Sequence, residues 1–253
     1  MSDAMPRLRI RGLAKAFGGT PVLADVDLDV GVGESLAVIG QSGTGKSVMI
    51  KCVLGLLHPD AGSILVDGEE MVGADANTRR RLRAKFGMLF QGGALFDSLP
   101  VWRNVTFGLT EGRAGRAARM RDIAVENLER VGLGADILDR RPSELSGGMQ
   151  KRVALARAIA PGPEILLFDE PTTGLDPIRA GVINDLICTL VSDLGVTALT
   201  ITHDMVSARE VAHRVAMLYD GRIIWQGGRD QLDVSGNAYV DQFVKGATQG
   251  PIC

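Results

Sequence analysis

The residues best suited to chemistry form one glycine-rich segment near the amino end of the chain. This segment, Gly40-Gln41-Ser42-Gly43-Thr44-Gly45-Lys46-Ser47, matches the pattern G-x-x-x-x-G-K-[ST] at every fixed position. Its glycines let backbone N–H groups curl around phosphate oxygens, and Lys46 adds a positive charge for the β- and γ-phosphates. The hydroxyl of Ser47 can ligate Mg²⁺. The segment therefore predicts a nucleotide phosphate site, and the alternative is a plain glycine turn with a solvated lysine.

The flanking sequence supplies the elements that such a loop requires. Residues 36–39 are an apolar run that predicts a buried strand, and residues 48–54 predict a helix that ends at Gly55. The amino end of that helix would add the positive end of its dipole to the site. This strand–loop–helix order favours phosphate binding over the plain turn.

Two adjacent carboxylates follow a second apolar run, residues 165–168. Asp169 offers the hard oxygen ligand that Mg²⁺ prefers. Glu170 is suited to act as the general base for a water that attacks the γ-phosphate. The alternative is a solvated strand end before the turn at Pro171, and the phosphate loop elsewhere in the chain argues against it.

Four predicted strands end in groups suited to nucleotide chemistry. Residues 36–39 lead into the phosphate loop, and the other three lead into Gln91, Asp169 and His203. In open parallel sheets, ligands gather at the carboxyl ends of the strands. The near-continuous apolar runs, which alternate with helices, predict such a sheet, so one phosphate-transfer site is expected at this edge.

A further segment, Ser146-Gly147-Gly148, opens a predicted amphipathic helix that buries Met149, Val153, Ala156 and Ala160 on one face. Ser146 is a natural N-cap. Because consecutive glycines weaken a helix, close approach of an anionic ligand explains them better than capping alone.

These motifs carry a family resemblance. Residues 145–152 (LSGGMQKR) resemble the signature motif of ATP-binding-cassette (ABC) ATPases, and they lie between the phosphate loop and Asp169-Glu170 as in that family. Gly174-Leu175-Asp176 is similar to the family's D-loop, Gln91 to its Q-loop glutamine and His203 to its switch histidine. Phe17 stands where the family stacks an aromatic ring on adenine.

The resemblance covers about residues 6–245 and implies an α/β fold of the P-loop NTPase type. Its core would be a mostly parallel sheet with an N-terminal antiparallel layer and an inserted helical subdomain at about residues 92–160, and residues 246–253 would form a tail. The tail contains Gly and Pro and is expected to be weakly ordered. Two Asp-Gly pairs, at 67–68 and 220–221, predict hairpins.

The resemblance also implies ATP and Mg²⁺ as cofactors and a head-to-tail homodimer. Each ATP would lie between one subunit's phosphate loop and the other subunit's Ser146, Gly147 and Gly148, with Asp176 close by. Glu170, His203 and Gln91 would be catalytic, and Ser47, Gln91 and Asp169 would hold the metal. Two departures, Met149 in place of the usual glutamine and Phe17 in place of the commoner tyrosine, keep the backbone donors and the π-face.

A narrower resemblance links residues 90–98, 176–187, 201–205 and 221–227 to the ATPase subunits of Mla-type and Mce-associated lipid transporters of Gram-negative bacteria. It implies an ATPase on the cytoplasmic side of the inner membrane that drives lipid movement through a separate permease. A periplasmic Mce-domain protein and a small regulatory subunit would complete the complex. The alternatives are an importer of another substrate, a soluble ABC ATPase of DNA repair or translation, and a regulatory module without turnover.

Composition narrows these alternatives. The 253 residues are 45% hydrophobic but only 4% aromatic, so aliphatic side chains are expected to build the core. A net charge of −2 gives no general attraction to nucleic acid. The three cysteines show no metal-ligand spacing and no disulfide framework, and no apolar run is long enough to span a bilayer. We therefore expect any role at a membrane to depend on a partner.

Overall fold

The computed structural model describes residues 5–109 and 117–252. Within these residues the strands are β1 (Leu8–Phe17), β2 (Thr20–Val30), β3 (Ser35–Ile39), β4 (Ala61–Val66), β5 (Glu69–Glu70), β6 (Phe86–Leu89), β7 (Ile165–Asp169), β8 (Thr197–Thr202), β9 (Arg214–Tyr219) and β10 (Arg222–Gly228). The helices are α1 (Lys46–Val53), α2 (Ala76–Arg83), α3 (Val101–Val105), α4 (Ala117–Arg130), α5 (Gly147–Ile159), α6 (Pro177–Leu194), α7 (Met205–Val211) and α8 (Ala238–Lys245). None of the helices in the described ranges is both long and apolar enough to cross a membrane.

The chain divides into two compact units, and the first contains the described residues up to Arg83 and from Thr197 onward. Its strands lie in the order β5-β4-β1-β2-β10-β9-β3-β8. β1 pairs antiparallel with β2 and β4, whereas β3 runs parallel to both β8 and β9. One parallel pair, Arg222 of β10 with Asp25 of β2, joins the antiparallel strands β1, β2, β4 and β5 to the other strands of this unit. The predicted antiparallel layer therefore continues the same sheet.

Both predicted hairpins are confirmed. Asp67 and Gly68 have φ values of 50° and 81°, and they connect β4 to β5. Asp220 and Gly221 have φ values of 46° and 70°, and they connect β9 to β10. Positive φ at both central residues is the turn geometry whose twist matches that of paired antiparallel strands.

The end of the chain departs from its predicted weak order. Ile252 is only 8% exposed and belongs to the hydrophobic cluster that includes Ile39, Met217 and Val240. The side-chain amide of Gln242 accepts a hydrogen bond from the Ile252 N–H at 2.7 Å and donates one to its carbonyl oxygen at 3.0 Å. This pairing and the burial of one aliphatic side chain anchor Ile252, whereas residues 246–251 are exposed.

The second unit runs from Ala84 to Val196 and pairs β6 with β7 in parallel. Helix α5 packs against β6, α3 and α4. The predicted helix is present, but burial on a single face is wrong. Its buried residues surround most of the helix axis: Lys151, Val153, Ala154, Leu155, Ala156, Ala158 and Ile159. A helix that is packed on several sides buries small alanines as well as large apolar residues. Its apolar residues therefore do not recur only at the spacing of a single helix face.

Candidate active site

The phosphate loop connects β3 to α1 in the first unit, and two of its glycines are required by their surroundings. Gly40 has φ of 155°, and a Cβ there would lie 2.4 Å from the carbonyl oxygen of Leu218. Gly45 has φ of 97°, and its Cβ would lie 2.9 Å from the carbonyl oxygen of Val22. Apart from its two chain neighbours, no atom of the described residues would lie within 4 Å of a Cβ on Gly43, so open space adjoins the middle of the loop.

Lys46 places its ammonium group inside the curl of this loop. Its Nζ donates hydrogen bonds to the carbonyl oxygens of Gly40 and Gln41, each at 2.7 Å, and the residue is 5% exposed. The Thr44 hydroxyl donates to the same Gln41 oxygen at 2.9 Å. The cation is therefore held where the loop's backbone turns, as binding of an anion such as phosphate requires.

The first unit brings His203 to the same sheet edge as the phosphate loop. Ile39 of β3 pairs with Thr202 of β8, so Gly40 and His203 leave adjacent parallel strands at the same level. His203 is exposed, and the next residue, Asp204, caps α7 by accepting hydrogen bonds from the Val206 and Ser207 N–H groups. This cap fixes the backbone that carries the histidine.

Phe17 lies at the end of β1 with 47% of its surface exposed, which leaves its ring accessible. The Nζ of Lys15 lies 5.7 Å from the ring centroid. Asp60 accepts hydrogen bonds from that amine and from the Ala16 N–H, both at 2.7 Å. These contacts fix the strand end that presents the ring.

The second unit brings Gln91, Asp169 and Glu170 to one edge of its strand pair. Leu89 of β6 pairs with Phe168 of β7, so the residues that follow leave the sheet side by side. Asp169 and Glu170 are each 8% exposed, whereas Gln91 is exposed. Glu170 has a left-handed backbone with φ of 50°, and its carboxylate accepts a hydrogen bond from the Thr173 hydroxyl at 3.2 Å.

The sequence motifs did not single out Lys151, which lies against this turn. Its Nζ donates to the carbonyl oxygen of Pro171 at 2.8 Å, and the residue is 6% exposed. Burial lowers the pKa of the lysine, and the negative charge of Glu170 opposes that shift. The available signal was its place at the end of the signature segment, residues 145–152, just before the small and apolar residues of a buried helix.

Ser146 caps α5 by accepting a hydrogen bond from the Met149 N–H at 3.3 Å. Within residues 5–109 and 117–252, a Cβ on Gly147 or Gly148 would meet no atom within 4 Å outside its chain neighbours and its own helix backbone, so packing alone does not require glycine at either position. A pocket of about 300 Å³ opens here, and it is lined by Ser146, Gly148, Met149, Arg152, Arg179, Val182 and Ile183. Asp176 caps α6 through the Arg179 N–H at 3.0 Å.

The loop after Gln91 is fixed from two sides. Arg157 donates to the carbonyl oxygens of Gly93 and Ala94, both at 2.7 Å. Buried Asn104 accepts from the Phe96 N–H at 2.7 Å and donates back to the Phe96 carbonyl oxygen at 3.1 Å. The rings of Phe96 and Phe107 lie 4.3 Å apart and remain 41% and 48% exposed. The loop thus presents an ordered aromatic surface.

The residues fit Mg-ATP better than a metal held by protein alone. Across residues 5–109 and 117–252, no group of three or more His, Cys, Asp or Glu side chains is arranged to bind a metal. Mg²⁺ in nucleotide sites commonly uses one or two protein ligands, phosphate oxygens and water. Ser47 in the first unit and Asp169 in the second unit each carry an oxygen of that type, and the phosphate loop has the features that bind phosphates.

Comparison with known proteins identifies the family. Residues 23–173 match the family model described as ABC transporter. The chain is 41% identical over 245 residues to the probable ribonucleotide transport ATP-binding protein mkl of Mycobacterium leprae, covering 97% of this chain and 70% of that protein. It is 38% identical over 244 residues to the intermembrane phospholipid transport system ATP-binding protein MlaF of Escherichia coli, covering 96% of this chain and 90% of MlaF.

Solved structures agree with that assignment. The dimeric post-hydrolysis structure of the ATP-binding cassette MJ0796, bound to ADP and Pi, superposes with a TM-score of 0.78 at 30% identity and covers 88% of this chain and 98% of that one. The predicted α/β P-loop fold is thereby confirmed. The chain belongs to the ABC transporter family and is an ATP-hydrolysing subunit of such a transporter.

Proposed function

We propose that this ATPase drives the movement of phospholipid between the inner and outer membranes through a separate permease. The observation that carries the proposal is the match to MlaF, which extends over 96% of this chain and 90% of MlaF. The subunit would work on the cytoplasmic face of the inner membrane. A periplasmic Mce-domain protein and a small regulatory subunit are the further partners that such a complex would contain.

Within the nucleotide site we propose a division of roles. Lys46 holds the β- and γ-phosphates, and Phe17 stacks on adenine. Ser47 and Asp169 hold Mg²⁺, which neutralises phosphate charge when bound. Gln91 is the third metal ligand and acts with His203 in catalysis. The remaining phosphate-loop residues supply backbone donors: Gly40, Gln41, Ser42, Gly43, Thr44 and Gly45.

For the hydrolytic step we propose Glu170 as the general base. Its carboxylate accepts the proton of the attacking water, a role typically worth ~10²–10⁴-fold in rate. Burial of the residue to 8% exposure and the hydrogen bond from Thr173 hold the carboxylate in one place. Glu170→Gln keeps the size of the side chain but cannot take the proton, so turnover should fall at least ~10²-fold while ATP still binds.

We also propose that two copies of the chain act as a head-to-tail homodimer. Ser146, Gly147 and Gly148 would bind the γ-phosphate of an ATP held by the partner's phosphate loop, with Asp176 at the same interface. The open space at both glycines and the capped amino end of α5 support this role. The related cassette MJ0796 is a dimer in its solved structure.

The surface proposed to meet the permease is the aromatic pair Phe96 and Phe107, together with the neighbouring Leu95. The two rings are exposed, and backbone contacts to Asn104 and Arg157 keep the loop ordered without them. An amphipathic helix of the permease could lay its apolar face on such a surface. No nucleic acid partner is proposed.

A double variant tests this surface. Phe96→Asp with Phe107→Asp should move the subunit from the membrane fraction to the supernatant, while the stabilisation of the fold by Mg-ATP stays unchanged. Val234→Asp is the matched control, because Val234 is 78% exposed on the first unit. If the double variant still fractionates with membranes, the coupling surface lies elsewhere. If the wild-type subunit is itself absent from membranes, a non-transport ATPase is the better assignment.

The relative mkl, a probable ribonucleotide transport ATP-binding protein, supports ribonucleotide transport as the second candidate. Deletion of the gene, with and without a complementing copy, separates the two. Lipid movement predicts a weakened outer-membrane permeability barrier with normal ribonucleotide uptake. Lost uptake of labelled ribonucleotide with an intact barrier would assign the second function and leave the ATPase assignment standing.

A further inference from the structure

Lys151 is a buried cation on the second turn of α5, the helix that Ser146 caps. Its ammonium group donates to the carbonyl oxygen of Pro171 at 2.8 Å, and only 6% of the residue is exposed. Burying an ammonium group is costly unless it is paired and hydrogen-bonded. An apolar side chain would fill the same space at lower cost, so the charge calls for an explanation beyond packing.

The segment that Lys151 contacts is the turn that carries Glu170. Glu170 has φ of 50°, a left-handed conformation that is strained for a non-glycine residue unless its surroundings hold it. The Thr173 N–H donates to the Glu170 carbonyl oxygen at 3.2 Å, which closes the turn from one side. Pro171 has no N–H, so its carbonyl, held by Lys151, is its one backbone group for hydrogen bonding.

We propose that Lys151 is a positioning residue for Glu170, because it fixes the carbonyl of Pro171, the next residue along the turn. The proposal rests on the proposed role of Glu170 as general base. A displacement of about 1 Å in a reacting group can cost ~10²-fold in rate, so a firm anchor on this turn matters for turnover and not for ATP binding.

The position of Lys151 gives this anchor a second consequence. Ser146 and Lys151 belong to one helical segment, so the anion-binding end of α5 and the support of the Glu170 turn form one rigid element. A shift of Ser146 toward or away from a γ-phosphate would therefore be felt at Glu170. This connection lies entirely within the second unit.

The test compares Lys151→Met, which removes the donor and the charge, with Lys151→Arg, which keeps both. Lys245→Met is the matched control, because Lys245 is exposed on α8. The full chain is purified with the membrane subunits that accompany it. Steady-state hydrolysis gives kcat and KM, and thermal melts with and without Mg-ATP report binding.

We expect Lys151→Met to lower kcat by about 10- to 100-fold. KM and the ATP-induced shift in Tm should be kept, and Lys151→Arg should recover most of the turnover. A kcat within threefold of wild type for Lys151→Met would overturn the proposal. Loss of the ATP-induced shift together with turnover would also overturn it, since that result assigns Lys151 a structural role. If Lys151→Met fails to fold, Lys151→Ala, which also removes the donor and the charge, is judged by the same criteria.

The Glu170→Gln variant distinguishes a failure of the positioning role of Lys151 from a failure of the general-base role of Glu170. Normal turnover in Glu170→Gln would remove the base and with it the need for positioning. If Glu170→Gln is inactive but Lys151→Met is normal, only the positioning role fails. In the double variant, the Lys151 change should cause no further loss, because residues that act as a unit are non-additive. A further ~10-fold loss would show that Lys151 acts independently of Glu170.

Discussion

Arg157 donates a hydrogen bond of 2.7 Å to the carbonyl oxygen of Ala94, a residue with φ of 46°. The second arm of the guanidinium holds the carbonyl of Gly93 at the same distance. Burial lowers the pKa of Arg157, but an arginine remains charged at physiological pH. The guanidinium group of Arg157 therefore fixes the backbone at Ala94 in a conformation that alanine does not readily adopt.

This contact predicts that Arg157→Lys loosens the loop after Gln91. A lysine keeps the charge but replaces the two rigidly spaced nitrogens of Arg157 with one Nζ, so we expect one of the two hydrogen bonds to be lost and the free energy of unfolding to fall by about 1 kcal/mol. Urea unfolding measures that loss, and membrane fractionation should show weaker association of the subunit. Arg130→Lys, at an exposed helical ion pair with Glu126, is the control and should change neither quantity appreciably.

The loop-bound ammonium of Lys46 predicts how ATP stabilises the fold. Mg-ATP at 100 times its dissociation constant should stabilise the wild type by ~2.7 kcal/mol through mass action. Lys46→Ala removes the charge that meets the phosphates, so most of this shift in thermal melts should vanish. Lys51→Ala changes an exposed lysine on the same helix and should keep the shift. Equal ATP stabilisation of Lys46→Ala and wild type would contradict the assigned role of Lys46.

The proposed shared site predicts that Ser146→Arg blocks turnover without blocking ATP binding. The substitution places a bulky cation at the amino end of α5, against the helix dipole. The phosphate loop of each subunit is unchanged, so the ATP-induced shift in Tm should persist while hydrolysis collapses. Ser143→Arg, at an exposed position in the preceding turn, should remain active. Loss of ATP binding in Ser146→Arg would argue against a contribution across a dimer interface.

Asp60 predicts a pH-dependent contribution to stability. The hydrogen bond from Lys15, followed by that from the Ala16 N–H, lowers the pKa of this carboxyl below its usual 3.8. Because the pKa is lower in the folded state, the stabilisation is present above pH 3.8 and is lost as the pH falls through the folded value. Asp60→Asn should therefore be less stable than wild type at pH 7, and the difference should shrink below pH 3.8.

Urea unfolding across that range measures the effect. Asp97→Asn, at an exposed aspartate of the second unit, is the control. A difference between Asp60→Asn and wild type that stays constant down to low pH would show that the Asp60 charge is not the cause.

The sequence predicted the parts of the fold that depend on local rules. The Asp-Gly hairpins and the phosphate-loop glycines were predicted because backbone geometry alone restricts those positions. Lys151 and Arg157 were not predicted, since their partners Pro171 and Ala94 lie 20 and 63 residues away along the chain. No sequence spacing links a buried cation to one distant carbonyl, so these contacts can be identified only in the folded structure.

The prediction of a weakly ordered tail was wrong at Ile252 for a related reason. Amino-acid composition indicates how flexible an isolated segment is, but it does not indicate whether the segment packs against another part of the fold. Gln242 offers Ile252 both a donor and an acceptor, and a cluster of apolar side chains receives its aliphatic chain. The residues next to Ile252 in the sequence do not indicate that Gln242 or this cluster would contact it.

The pairing of Gln242 with Ile252 also decides where a reporter can be attached. A fluorescent protein or affinity tag fused directly after Ile252 would disturb its buried side chain and both of its hydrogen bonds to Gln242. Such a fusion would compromise the same melts and fractionations that it was meant to follow. Met5, by contrast, is 62% exposed. Tags for this ATPase belong at the amino end, or behind a flexible linker that leaves Ile252 in place.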